Sequence, residues 1–310
     1  MTTAAIIVHG GAGAVEDERR ERVVAGCEAA ASAGWERLHA GGSALDAVEA
    51  AVRALEDDEE FNAGYGAVLS RAGTVEVDAC VMSAERAGER GLEVGAVGAV
   101  PWLRHPVTLA RRVLEDGEHV LLVGEGALGF AREHGISPES AATMVSPRAR
   151  ARFDKHEGET ARRMRTGDTV GACAIDATGR LAAATSTGGI PWKRAGRVGD
   201  TPLPGAGTWA EAGVGAASAT GHGESIIRAL MTRVAIDRLR AGGAPDDAAW
   251  AAVQELVHVG GDGGVIVVGG DGRIGWHTST ARMPWAAIVG GTRTSGAEPR
   301  TGLAVTEPPP

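Results

Sequence analysis

Residues 169 to 187 constrain the fold more tightly than any other stretch of the chain. Two runs, TVGACAID (169–176) and RLAAATST (180–187), flank the turn Asp176-Ala-Thr-Gly179 and consist almost wholly of small and aliphatic side chains. Such runs predict a buried antiparallel hairpin whose register follows from the length of its loop. Paired residue numbers should sum to about 355 or 356, which sets Thr169 opposite Ser186 or Thr187. A hairpin this lean needs a core of the same kind. The 310 residues include 47 glycines but only seven Trp, three Phe and one Tyr, so the interior must be built mainly from Ala, Val, Leu and Ile. That composition suits closely packed sheets with sharp turns and argues against a coiled coil or a long helical array.

Elements of both kinds surround the hairpin. Upstream, Ala4–Val8 reads as a buried strand and His9-Gly-Gly-Ala-Gly13 as a sharp turn. A helix is expected from about 17 to 40, stopped by Gly41-Gly42, and a second from a Ser43/Asp46 capping box to about Glu56. Segments 66–71 and 74–83 suggest a hairpin, followed by strands near 93–100 and 119–123 and helices near 106–116 and 125–134. Downstream, strands are expected at 211–219, 263–269 and 273–280, with helices at 223–241 and 246–258. Residues 143–167 break the pattern. They hold seven basic side chains and few large apolar ones, and read as a flexible, solvated linker. Residues from about 300 to 310, ending in Pro-Pro-Pro, read as a loose tail. The whole, 1–310, is one α/β layered domain without internal repeats.

Charge and cysteine usage exclude several functions. The net charge of −9 falls entirely before Thr169: residues 1–168 carry 19 basic and 28 acidic side chains, residues 169–310 carry 12 of each. This leaves no basic footprint for nucleic acid or anionic lipid. No apolar run approaches the roughly 18–20 residues of a membrane span. The opening MTTAAIIVHG lacks a basic leader region and reads as a first strand. Three scattered cysteines fit a reducing compartment, so a cytoplasmic enzyme acting on small molecules is expected. The nine histidines show no i,i+4 pair and there is no CxxC, which leaves zinc unsupported. Gly124-Glu-Gly126-Ala-Leu-Gly129 matches a dinucleotide fingerprint by letter. The Pro- and Arg-rich segment stands where the acidic end of a second strand should be, so helix–strand packing is the simpler reading.

The chemistry gathers at and after Asp168-Thr169. A threonine hydroxyl is a poor nucleophile without a base, and no histidine lies between His156 and His222. A cut before Thr169 would free an α-amino group of pKa about 8, able to serve as base for its own hydroxyl. The plain alternative is a threonine that merely leads a strand. Arg197-Val-Gly-Asp200 offers one cation and one anion, matched to the carboxylate and ammonium of a zwitterion or else a surface ion pair. Thr220-Gly-His-Gly-Glu224 offers a hydroxyl and backbone N–H groups for an oxyanion, or an ordinary glycine turn with Thr as cap.

Taken together, GDTVGACAID, TSTGG, GRVGDTP and TGHGES, preceded by HGGAG, GGSALDAVEAAVRALEDDEEFNAGYGAVL and VDACVM, resemble the plant-type asparaginase/isoaspartyl peptidase family of N-terminal-nucleophile hydrolases. The resemblance covers nearly all of residues 4–289. It implies an α+β fold, a four-layer αββα sandwich, matured by cleavage into an α chain ending at Asp168 and a β chain beginning at Thr169. Thr169 would be the nucleophile, Thr187 its assistant, and Thr220 and Gly221 the oxyanion hole, with Asn62 approaching from the α chain. Arg197 and Asp200 would hold the substrate's α-carboxylate and α-ammonium, with Val198, Gly199, His222 and Gly223 completing the binding loops. No cofactor is required. A structural sodium ion would be bound by the backbone of Leu55, Glu56, Asp58, Phe61, Ala63 and Tyr65, although the stretch 57–60 lacks a Cys-Pro seen in some relatives. The substrates implied are L-asparagine and β-aspartyl dipeptides, and the assembly a dimer of cleaved αβ units. A glycosylasparaginase, a threonine aspartase-like protease and an uncleaved binding protein for aspartyl compounds remain as alternatives.

Overall fold

Small side chains let the strands of this chain stack closely, and they do so in two sheets. The computed structural model describes residues 2–13, 15–84, 92–155 and 168–299. Before Thr169 the strands are β1 (Ala5–His9), β2 (Glu76–Ala84), β3 (Leu92–Pro101) and β4 (Leu121–Val123). After it come β5 (Val170–Ile175), β6 (Leu181–Thr187), β7 (Thr208–Glu211) and β8 (Gly215–Gly221), then β9 (Gly263–Gly269), β10 (Ile274–Thr278), β11 (Trp285–Val289) and β12 (Thr292–Gly296). The helices are α1 (Arg20–His39), α2 (Ala44–Asp57), α3 (Pro106–Asp116), α4 (Gly124–Glu133), α5 (Ala141–Met144), α6 (Pro147–Lys155), α7 (Gly223–Ala229), α8 (Met231–Arg240) and α9 (Pro245–His258). One sheet runs β12-β11-β1-β5-β6-β2-β3-β4 and the other β10-β9-β8-β7.

Period-two alternation assigns each face. In β1, Ile6 and Val8 pack toward α1 and α2, while Ala5 and Ile7 face the second sheet. Cys80, Met82, Cys173 and Ile175 meet Ile266, Val268 and Trp276 between the sheets. On the far side Ala217, Val265 and Val267 pack against Ile236, Ala249 and Val253 of α8 and α9. The result is the four-layer αββα sandwich. Its central hairpin pairs Val170 with Ser186, so Thr169 and Thr187 end the ladder side by side. The Ser43/Asp46 capping box opens α2 as its sequence predicts.

Other local expectations yield to tertiary contacts. Residues 66–71 form no strand, only a Leu69–Val75 bridge, because the Asn62 side chain and the 192–193 backbone take up their hydrogen bonds. The expected strand 211–219 is two, β7 and β8, turned at Gly213. The expected helix 223–241 breaks at Leu230, where φ is +48°. There the N–H groups of Thr232 and Arg233 donate to Ala206 and Gly205. The linker reading also needs correction. Ser140 caps α5 and α6 occupies residues 147–155, while 156–167, like 300–310, lie outside the described residues. Open space surrounds Gly126 and Gly129, so helix–strand packing does not account for those glycines. Among the described residues no helix is long and apolar enough to cross a membrane.

Candidate active site

Three strand ends converge on one point: the start of β5, the end of β6 and the end of β8. Thr169, buried there, donates its hydroxyl to Thr187 Oγ1 at 3.2 Å. Thr187 Oγ1 accepts the Gly189 N–H at 3.0 Å and donates to the Asp168 carbonyl at 3.3 Å. The same carbonyl accepts Asn62 Nδ2 at 2.7 Å. Asn62 is fully engaged, since Nδ2 also donates to Gly189 O at 2.7 Å and Oδ1 accepts the Val68 N–H at 2.9 Å. On the other side of the peptide, Thr169 N–H donates to Thr220 Oγ1 at 3.3 Å, which also accepts the Ala12 N–H at 3.2 Å. The Asp168–Thr169 peptide thus has two donors on its carbonyl, an acceptor on its N–H and a hydroxyl beside it. The glycine turn after β1 is pressed against this bond: Gly11 has φ +112°, and a Cβ there would lie 2.8 Å from that of Asp168.

Beneath Thr169 runs a buried polar chain that sequence reasoning missed. His9 Nε2 lies 2.9 Å from Ser218 Oγ, which lies 2.8 Å from Thr185 Oγ1. Thr208 donates to Thr185 at 2.7 Å and reaches the Thr201 carbonyl at 3.1 Å. Burial pushes the His9 imidazole down to about 3, partly opposed by the Thr169 main chain, so the ring is neutral near pH 7. The only advance signal is an interior histidine at the end of an apolar run.

Opposite Thr169 lies a small cleft lined by Thr187, Arg197, Asp200, Gly221 and Gly223, with Gly189 and Ile190 on its remaining wall. A Cβ at Gly223 would stand 2.7 Å from both Arg197 Nη2 and Asp200 Oδ1, so the two charges meet across that glycine. Burial raises the Asp200 carboxyl to about 7; Arg197 pulls it back, and Asp78 and Glu224 push it further. The guanidinium is paired with Glu224, at 3.1 Å from Nε and 3.0 Å from Nη2. Gly221 takes φ +141°, and a side chain there would strike the Asp262 carbonyl at 2.4 Å. Three of the expected residues sit at the margin of the cleft. Val198 packs on Gly98, Gly199 donates its N–H to Asp78 Oδ2 at 2.9 Å, and His222 precedes α7 with Nδ1 on Ser225 Oγ at 2.9 Å.

The loop that carries Arg197 and Asp200 is held from the other side of the Asp168–Thr169 bond. Buried Lys193 donates Nζ to the Glu76 carbonyl at 2.7 Å, and Gly196 N–H donates to the Glu76 carboxylate at 2.8 Å. Glu76, Asp78, Lys193 and Glu224 therefore belong to the site; Asp78 and Glu224 stand inside the quoted VDACVM and TGHGES motifs, whereas no local motif marks Glu76 or Lys193.

The loop after α2 coils on itself, with Asp58, Phe61, Ala63 and Gly66 donating to the carbonyls of Leu55, Asp58, Phe61 and Ala63. Side chains at Gly66 and Gly64 would strike the Phe61 and Glu56 carbonyls, at 2.0 and 2.5 Å. Such neutral main-chain oxygens, each with a second lone pair, fit the donor chemistry of a hard cation. Among the described residues no cluster of His, Cys, Asp or Glu side chains offers a rival metal site.

Comparison with known proteins assigns the chain to a family. The profile of the family described as Asparaginase matches residues 2–296. The chain is 42% identical over 287 residues to an isoaspartyl peptidase/L-asparaginase of Xenopus laevis, spanning 91% of each chain. It is 43% identical over 302 residues to the Homo sapiens protein of that name, spanning 95% of this chain and 96% of the other. It is 37% identical over 324 residues to a probable isoaspartyl peptidase/L-asparaginase of Drosophila melanogaster, spanning 96% of each.

Proposed function

The chain belongs to the Asparaginase family, and from that premise we propose that it hydrolyses L-asparagine and β-aspartyl dipeptides, with Thr169, freed by self-cleavage after Asp168, as nucleophile. The observation that carries the reading is the Thr169–Thr187–Asp168 triangle, closed by Asn62 on the same carbonyl. In the first stage Thr169 Oγ adds to the Asp168 carbonyl carbon. Charge develops on an oxygen that already faces Asn62 Nδ2 and the Thr187 hydroxyl. The C–N bond breaks, its nitrogen takes the proton, and water hydrolyses the resulting ester to leave the Asp168 carboxylate and a free Thr169.

In the second stage the Thr169 amine, an α-amino group whose ordinary pKa is about 8, accepts the proton of its own hydroxyl. The hydroxyl attacks the side-chain carbonyl of a substrate whose α-carboxylate rests on Arg197 and whose α-ammonium rests on Asp200. Thr220 and Gly221 face the oxyanion. Ammonia or an amino acid leaves, and water releases aspartate. A cleft with one cation and one anion recognises only the aspartyl head, which is why the leaving group can vary.

The carbonyl loop at Leu55, Glu56, Asp58, Phe61, Ala63 and Tyr65 would hold a structural sodium ion that stiffens the backbone leading to Asn62, without a part in the chemistry. A cytoplasmic setting accords with three buried free thiols, Cys27, Cys80 and Cys173, and the assembly would be a dimer of cleaved units. The test is denaturing mass analysis of purified protein. Fragments ending at Asp168 and beginning at Thr169 are expected, with Thr169→Ala remaining one chain. A wild-type chain that stays whole under all conditions would sink the reading.

A further inference from the structure

Outside the cleft lies a second concavity of about 400 Å³, within the size range of small-molecule sites. Its walls include Arg71, Arg194, Gly196 and Glu224, and it shares Ile190 and Arg197 with the cleft, so the two adjoin. Its charges are unequally committed. Glu224 is paired with Arg197 at 3.0 Å. Lys193, also in the wall, turns its ammonium inward onto the Glu76 carbonyl. Arg71 and Arg194 are exposed, and among the described residues neither meets a carboxylate. Arg71 is braced by Nε on the Trp192 carbonyl at 3.0 Å, which leaves its outer N–H groups toward solvent.

We propose that this groove is the subsite for the leaving amino acid of dipeptide substrates, and that Arg194 and Arg71 bind its α-carboxylate. The proposal rests on the hydrolase reading above and adds to it a reason for preferring one substrate class. Asparagine releases ammonia, which carries no anion. Every β-aspartyl dipeptide releases an amino acid whose carboxylate carbon lies two bonds, about 2.5 Å, beyond the departing nitrogen. A site for that carboxylate must therefore adjoin the cleft, and this groove does. Two guanidinium groups suit a carboxylate because their planar forks donate in pairs.

Steady-state kinetics on mature enzyme tests this with asparagine, β-Asp-Leu and the C-terminal amide of β-Asp-Leu. Arg194→Ala should raise KM for β-Asp-Leu about three- to fivefold, the scale of an exposed ion pair. Arg194→Glu should raise it further, Arg194→Lys should restore most of it, and Arg71→Gln should act in the same direction. Asparagine kinetics should stay within about twofold, which also certifies that the variants fold. The amide should begin with the raised KM and respond to none of the changes. Equal shifts for asparagine would put the arginines on the aspartyl head and overturn the proposal, as would an unchanged β-Asp-Leu KM. A wild-type enzyme that hydrolyses neither substrate overturns the parent reading instead, and shows it before any variant is made.

Discussion

The ring of Phe153 lies 4.5 Å from that of Trp192 and within 4° of parallel, and the Trp192 indole N–H donates to the Phe153 carbonyl at 3.3 Å. The stack ties α6, which precedes the proposed cut, to the loop bearing Arg197 and Asp200, which follows it. Trp192 has φ +59°, a state that a non-glycine residue holds only when its surroundings impose it. The stack and the hydrogen bond from Trp192 N–H to Leu69 O, at 3.0 Å, impose it here.

Phe153→Ala should therefore loosen the loop proposed to bind substrate while leaving Asp168–Thr169 untouched. An aromatic pair contributes about 0.5–1.5 kcal/mol beyond its buried area, so KM for asparagine should rise roughly two- to tenfold with self-cleavage at the wild-type rate. Kinetics on mature protein, beside a gel time course of maturation, measures both. An unaltered KM would make the stack irrelevant to binding.

Asn62→Ala removes the shorter of the two hydrogen bonds to the Asp168 carbonyl. If that carbonyl carries the charge of the first stage, self-cleavage should slow by about 10²–10³. Mass spectra taken at intervals after rapid purification would show it. Cleavage at the wild-type rate would remove Asn62 from the maturation step.

Asp200 makes binding pH-dependent, because its carboxyl sits at about 7 in the free cleft. Below that pH it holds a proton and cannot pair with an ammonium, so KM for asparagine should rise about tenfold per unit of further acidification. The stability effect has a definite sign. The folded state binds this proton more tightly than the unfolded state, whose carboxyl titrates near 4, so the advantage is complete below about 4 and lost as pH rises through about 7. Asp200→Asn should match the wild-type melting temperature at pH 4 and exceed it at pH 8, while losing affinity for substrate. A melting difference independent of pH would contradict the assignment.

Ser218→Ala strips the partner from His9 Nε2 at the base of β5 and breaks the chain to Thr185. A buried polar atom left without a partner costs about 1–3 kcal/mol, so the urea midpoint should fall by the corresponding amount. A variant as stable as wild type would mean the chain carries no net stabilisation.

The hairpin and its register were legible because both are local. The length of the turn at Asp176 sets which residues pair, and alternation sets which face the core, so Thr169 beside Thr187 follows from counting. The Ser43 cap and α3, which begins at Pro106, were readable for the same reason. Strands β11 and β12 were not. WAAIV is short, and TRTSG is polar and exposed, so neither carries a period against which to read it. The break at Leu230 has no glycine or proline to announce it; it exists because the 205–206 loop captures the first N–H groups of α8.

The same division runs through the site. Residue type and chain order already named Thr169, Thr187, Arg197, Asp200 and Thr220, since each stands in a short motif whose chemistry is its own. Asn62 was named only through the family resemblance, and the partners that hold these residues in place came from elsewhere. Asn62 stands 106 positions before the carbonyl it holds, His9 stands 209 before Ser218, and Lys193 stands 117 after Glu76. Such partners are chosen by the packing of one sheet on another, where a buried donor must find whatever acceptor the fold brings within reach. Nothing in the spacing of residues along a chain encodes that choice, whereas the turn and the alternation of a hairpin are encoded in a dozen neighbouring residues.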